Sequence, residues 1–376
     1  MLRVLISVFL LLVPSFWAKL TAQPDGFYYN GQKVFLSGAN IAWYSYGYDF
    51  GNNQYDSHGP QLESWLTEIS NNGGNSVRIW LHVEGENTPK WDSNGYVTAP
   101  DASGTLFSDM KRFLNFAQSK NILVIFTLWN GAEMHNQKVI DLVWDDSKLE
   151  SYIDNVLRPM ASELRGHPAL GAWEIVNEME GSVRVPDSRS ERCFDTGILD
   201  GSGAGWTFKS IQMERFLRFY NLQLAVLKTT DPTALVTGGS WSEKSQNSVF
   251  SGSFNYYSDE CLTKAGGNPT GTLDFFQMHS YAWQSQWNPS GPFKHPASSY
   301  NLGKPIVIGE FASSCSEGES IEQLMEHAYS NGYSGIWTWT YSVHGGGCED
   351  DRATQHRGFN HLRGRTDNGV VNFQVG

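Results

Sequence analysis

The sequence predicts an α/β fold, a single-domain (β/α)8 TIM barrel, on three observations. Eight short apolar runs recur along the 376-residue chain. They are continuously apolar rather than alternating, which is how strands buried on both faces read. Most are separated by segments with helical spacing, an alternation that asks for right-handed parallel crossovers. Eight such units close a barrel, and the length suits one, since α/β barrels take about 250 residues or more as a single unit. No second domain, linker or further repeat interrupts the pattern.

In chain order, residues 1–22 read as a signal peptide and 23–376 as the barrel domain. A short basic start (Met1-Leu-Arg3) precedes an apolar stretch over 4–13 that is too short to span a bilayer. Cleavage is expected near Ala18 or Ala22, neither of which has a small residue two positions before it. A hairpin is predicted over 27–33, turning at Asn30-Gly31 and plugging the barrel's bottom. The first barrel strand covers 34–41 and runs into Trp43-Tyr44-Ser-Tyr46. Leu62, Trp65, Leu66 and Ile69 place a helix over 59–72, stopped at Asn72-Gly73-Gly74. The second strand is 76–81, followed by a helix over 106–119. The third strand, 122–128, leaves through Trp129-Asn130. A helix over 147–164 leads to the fourth strand, which opens at Leu170 and ends in Asn177-Glu178.

An irregular loop over 181–205 follows, then a helix over 207–228. The fifth strand, 235–239, exits at Ser240-Trp241. The sixth, 273–278, exits through His279-Ser-Tyr281, and the seventh, 304–310, carries Glu310. A helix over 317–331 precedes the eighth strand at 334–339, and a closing helix occupies part of 351–363.

Composition removes several function classes. Lys plus Arg number 27 against 39 Asp plus Glu, a net charge of −12. An acidic chain with no basic run argues against nucleic acid or an anionic membrane as partner. Aromatics make up 14%; most fill core, and a surplus of Trp near strand ends suits the flat faces of sugar rings. No His-Glu-x-x-His, Gly-x-Ser-x-Gly or P-loop occurs, and no Cys pair has the close spacing of a zinc site. Export permits disulfides. On the strand assignment Cys193 and Cys261 fall in neighbouring loops, as do Cys315 and Cys348, so Cys193–Cys261 and Cys315–Cys348 are the expected pairs. Asn268 and Asn288 are each followed by Pro and are not glycosylation acceptors.

Two strands that each end in a glutamate, Glu178 and Glu310, bring two carboxylates to one rim of the barrel. A retaining glycosidase needs one protonated carboxyl and one ionised carboxylate about 5 Å apart. Glu178 suits the acid/base, with Asn177 placed to bond the sugar 2-hydroxyl, and Glu310 the nucleophile. Arg78 lies inside an apolar strand and must have an acidic partner. That partner is Glu310, whose charge it would hold ionised, or else an acid elsewhere in the barrel. His279 and Tyr281 both point inward if their strand is regular. Tyr281 would donate to Glu310 and His279 would set the protonation of the pair, unless it is a packed core histidine. Trp339 would lie beneath the sugar, whereas Trp337 reads as core. Trp43, Trp129, Trp241, Trp283 and Trp287 are further candidates for sugar platforms.

This set resembles glycoside hydrolase family 5 over nearly the whole mature chain. Carrying the likeness are the arginine of the second strand, Asn-Glu after the fourth, His-x-Tyr after the sixth, Glu after the seventh and Trp after the eighth. Within that family the exit Gly38-Ala-Asn-Ile-Ala-Trp43 and the segment Arg78-Ile-Trp-Leu-His-Val-Glu-Gly85 are similar to the endo-β-1,4-mannanases of invertebrate digestive secretions. The resemblance implies a secreted enzyme that hydrolyses internal bonds of β-mannan by double displacement. It implies no metal or organic cofactor, Glu178 as acid/base, Glu310 as nucleophile, and Arg78, Asn177, His279, Tyr281 and Trp339 around the cleavage point. Trp129-Asn130 departs from the pair that many members carry after the third strand, which leaves the role of that exit open. A monomer is the default expectation. An endo-β-1,4-glucanase is the nearest alternative, and a non-catalytic carbohydrate-binding barrel is the alternative from another class.

Overall fold

A computed structural model describes residues 19–376; residues 1–18 of the leader reading lie outside the described residues. An antiparallel sheet of β1 (Leu20–Gln23), β2 (Gly26–Tyr29) and β3 (Gln32–Val34) comes first. Its second turn is tight because Asn30 and Gly31 both adopt positive φ, 51° and 78°, as the favoured two-residue hairpin turn requires. Phe27 of β2 packs edge-on against Phe275, with ring centroids 5.0 Å apart, so this sheet floors the barrel.

The barrel begins with β4 (Leu36–Ala42) and β5 (Ser76–Val83); a ribbon of β6 (Lys90–Trp91) and β7 (Val97–Ala99) decorates the loop after β5. Then come β8 (Leu123–Asn130), β9 (Leu170–Asn177), β10 (Leu235–Ser240), β11 (Phe276–His279), β12 (Ile306–Phe311) and β13 (Gly335–Thr338). The barrel strands pair in parallel, and β13 pairs with β4 to close the ring. Every residue in them is buried, which is why the runs are continuously apolar. Trp337 is core, its Nε1 donating to Ser76 Oγ at 3.0 Å.

Outside lie α1 (Tyr55–Asn71), α2 (Leu106–Ser119), α3 (Gln137–Trp144), α4 (Asp146–Tyr152), α5 (Arg158–Glu163), α6 (Met213–Thr230), α7 (Asp259–Gly266), α8 (Ile321–Ser330) and α9 (Arg352–Leu362). The helix predicted over 147–164 is α4 and α5 joined by a π turn, Ile153–Leu157. Pro159 explains the interruption, since it has no N–H for the regular i→i−4 bond. The helix predicted from 207 starts only at Met213. Phe208 and Ser210 have φ of 58° and 55°, and Thr207 N–H and Ile211 N–H bond the carbonyls of Gly181 and Ser182 instead. The two short helices α3 and α7 were not expected from periodicity; the caps Asn136 and Ser258 start them.

Cys193 is bonded to Cys261 and Cys315 to Cys348, closing loops with sequence separations of 68 and 33. In the chain-entropy account each closure stabilises by about 4 kcal/mol. Replacing Cys315 and Cys348 together by serine is therefore expected to lower the thermal midpoint measurably in calorimetry. An unchanged midpoint would sink that account for this loop.

Candidate active site

Alternation along a strand sends neighbouring side chains to opposite faces, and the inward positions of β4, β5 and β9 are polar: Asn40, Arg78 and Glu174. Arg78 is fully buried and saturated. Its Nε and Nη2 donate to the two oxygens of Glu174, both at 2.6 Å. Nη1 donates to Glu310 Oε1 at 2.6 Å and Asn40 Oδ1 at 2.8 Å; Nη2 also donates to Asn177 Oδ1 at 2.7 Å. Both readings of Arg78 thus hold together: it meets Glu310 and it also makes a bidentate ion pair within the barrel. Glu174, a lone charge in an apolar strand, carries the same signal as Arg78 and identifies that second partner.

Glu310 is the last residue but one of β12 and is 5% exposed. Tyr281 donates its hydroxyl to Glu310 Oε2 at 3.0 Å. Burial, reinforced by the neighbouring Glu178, holds the Glu310 carboxyl above its usual value, with Arg78 and the Tyr281 hydroxyl opposing the rise. Glu178 follows β9 with a left-handed backbone, φ 48°, and its side chain keeps 17% exposure. Residues held in that region cluster at functional sites. Burial raises the Glu178 carboxyl to about 7, with Arg78 opposing and Glu174 reinforcing the shift. His279 is buried and held down to about 4, chiefly by burial, so its ring is neutral at ordinary pH. Its Nδ1 lies 2.6 Å from Glu178 Oε1 and 3.5 Å from Glu310 Oε2, whereas Nε2 is buried without a partner. The less costly tautomer therefore carries its proton on Nδ1 and donates it to Glu178.

One oxygen from each of Glu178 and Glu310, with one nitrogen of His279, lie within 4.8 Å of one another. A second such group among the described residues is Glu84, Glu86 and His135. Hydrogen bonds or ion pairs among the members account for the first spacing and for the 2.9 Å Glu86–His135 pair of the second.

Asn177 belongs to a polarised chain. Its Nδ2 donates to Asn130 Oδ1 at 3.1 Å, and Asn130 Nδ2 donates to Glu84 Oε1 at 2.6 Å. The Tyr46 hydroxyl donates to the same Glu84 oxygen at 2.5 Å. With a cation at one end and a carboxyl at the other, both amides have their orientation fixed; the second hydrogen of Asn177 Nδ2 remains for a ligand. Burial raises Glu84 to about 7. Asn130 thus fills the exit whose role the sequence left open, while Trp129 beside it points out of the barrel. Trp129 is not a sugar platform here: it packs on His82 and Tyr152 at 4.8 and 4.9 Å and donates Nε1 to Gln223.

Half-buried Trp339 stands with Trp43 and Trp80 at ring separations of 5.0–6.0 Å. Trp80 was missed because it sits mid-strand like a core residue; it also lies beneath Arg78 at 5.7 Å. Trp43 stacks on His344 at 4.6 Å. Trp287 is loop packing, bonded to Glu317 and Glu319; Trp241 is half-buried and Trp283 80% exposed.

Residues 29–345 match the Cellulase (glycosyl hydrolase family 5) family. Mannan endo-1,4-beta-mannosidase of Cryptopygus antarcticus is 46% identical over 365 residues, which span 96% of this chain and 95% of that one. The crystal structure of endo-1,4-beta-mannanase from Eisenia fetida superimposes with a TM-score of 0.93 at 48% identity, covering 95% of this chain and 99% of its own. That of the beta-mannanase from blue mussel, Mytilus edulis, gives 0.91 at 47%, covering 96% and 100%. On that extent of agreement the chain belongs to glycosyl hydrolase family 5.

Proposed function

We propose that this chain is a secreted endo-β-1,4-mannanase that hydrolyses internal bonds of mannan, galactomannan and glucomannan with retention. The observation that carries the mechanism is that one oxygen of Glu178 and one of Glu310 lie within 4.8 Å of each other, a closeness that suits the direct attack of a retaining pair. Glu310, held by Arg78 and Tyr281, attacks the anomeric carbon. Glu178 gives its proton to the departing glycosidic oxygen. A mannosyl ester of Glu310 forms; Glu178, now a carboxylate, takes a proton from water, which attacks the same carbon and frees Glu310. Asn177 donates to the 2-hydroxyl, and Trp339 lies under the ring at the cleavage point.

The two disulfides support an oxidising compartment, and no helix among the described residues is long and apolar enough to cross a membrane. We place leader cleavage at Ala18, because removal through Ala22 would take most of β1 from the floor sheet.

Reducing-sugar release from galactomannan, beside carboxymethylcellulose, tests the substrate. Release chiefly from mannan is expected; release chiefly from cellulose would keep the mechanism and overturn the substrate. The pH profile tests the roles. The acid must be protonated, so kcat/KM is expected to fall as pH rises through about 7, the Glu178 value. It should fall again in acid as Glu310 takes up a proton. Activity undiminished at pH 9 would count against Glu178 as the acid.

A further inference from the structure

Two residues beyond Glu178, the fully buried Glu180 has no part in the chemistry described above. Its Oε1 accepts from the hydroxyls of Ser240, Ser245 and Tyr257 at 3.0, 2.5 and 2.8 Å. Its Oε2 accepts weakly from the Trp241 N–H at 3.4 Å. No lysine, arginine or histidine among the described residues pairs with it. Taking a carboxylate out of water without a counter-ion is a poor solution to packing alone.

What Glu180 joins explains it. Ser240 ends β10, and Ser245 and Tyr257 lie in the loop that follows, so one carboxylate ties the β9 exit to the β10 exit. Tyr257 packs edge-on against Tyr220 at 5.5 Å, and the Tyr220 hydroxyl donates to the carbonyl of Val176 in β9 at 2.8 Å. Glu178 N–H donates to Gly239 O at 2.8 Å, and Gly181 N–H to Glu178 O at 3.1 Å. The turn is also closed from outside: a Cβ at Gly181 would meet the Trp206 ring at 2.6 Å. Glu178 therefore sits in a left-handed conformation that its own side chain does not favour, between Val176 and Glu180, both bound through the Tyr220–Tyr257 pair.

We propose that Glu180 is a positioning residue that fixes the Glu178 carboxyl at the leaving oxygen by clamping the β9 turn onto the β10 exit. The proposal rests on the acid/base reading of Glu178.

A misplaced acid has a signature that a general structural defect lacks. A mannan leaving group needs its proton, whereas a dinitrophenolate leaves without one, and kcat/KM reports only the steps through that departure. In Glu180→Gln the amide nitrogen must face either the Trp241 N–H or the three hydroxyls, so the clamp loosens at constant size. The expected result is a fall in kcat/KM on galactomannan of about 10- to 100-fold, with less than about threefold change on 2,4-dinitrophenyl β-mannobioside, a fraction of the full effect of losing general acid catalysis. Tyr257→Phe, which removes one donor, is expected to show the same split at smaller size, and it carries the test if Glu180→Gln does not fold. Equal losses on both substrates, or no loss on either, would overturn the positioning role. Glu178→Ala serves as the reference. If it shows no split, the acid/base reading itself is overturned; if it shows a split and the Glu180 and Tyr257 variants do not, only the positioning role falls.

Discussion

Replacing Glu310 by glutamine is expected to lower kcat on galactomannan by about 10³-fold or more, the scale seen when a covalent nucleophile is removed. The substitution keeps the size of the side chain and one acceptor for Arg78, and the Tyr281 oxygen can accept from the new amide. The fold should therefore survive, with a thermal midpoint close to that of the parent. What would disappear is the oxygen proposed to form the glycosyl ester. Glu310→Ala sharpens the test, because it opens space beside the anomeric carbon. With a dinitrophenyl mannobioside and added azide, the alanine variant is expected to yield a glycosyl azide of inverted configuration, detected by proton NMR. A folded glutamine variant that retains activity within about tenfold of the parent, against the loss expected of a nucleophile, would remove Glu310 from that role.

The residues that define the site differ in how plainly the sequence announces them. A strand buried on both faces is continuously apolar, so a single charge within it stands out: Arg78 between Val77 and Ile79, and Glu174 between Trp173 and Ile175. The two explain each other as a bidentate pair. Strand ends are less legible, because a one-residue shift reverses every side chain. Nothing in Trp129-Asn130 says which residue faces inward, and the register slips once along that strand pair, between Val124 and Ile125. The apolar side chain is the conspicuous one, yet Asn130 joins the site. Tyr46, Glu84 and Glu180 depend on partners about 38 to 84 positions away, contacts that only the closed barrel creates. Local rules also fail where tertiary bonds replace them, as at Phe208 and Ser210, which leave the helical region while Thr207 and Ile211 beside them bond the β9 loop.

Arg78→Met should show the largest effect on stability. Methionine fills most of the volume but leaves Glu174 and Glu310 without their cation, and Asn40 and Asn177 without a donor. Breaking a buried pair from one side costs about 3–5 kcal/mol. At roughly 2 °C per kcal/mol for a large single domain, that is a fall in thermal midpoint of about 6–10 °C. The effect has a pH sign. In the parent, Arg78 overcomes the burial penalty and holds the Glu174 carboxyl below its usual value, so this group contributes stability above the ordinary carboxylate range that is lost as pH falls. In the variant both carboxyls titrate above that range, and folding is penalised increasingly as pH rises. The gap in midpoint between parent and variant should therefore widen from pH 4 to pH 8. Activity should move with it, since Glu310 would ionise only at higher pH and the acid limb of kcat/KM would shift upward. Arg78→Lys keeps the charge without the fork and should fall between the two. A methionine variant with a midpoint within 2 °C of the parent at pH 8, set against the fall expected for a broken buried pair, would show that these carboxylates are held by something other than Arg78.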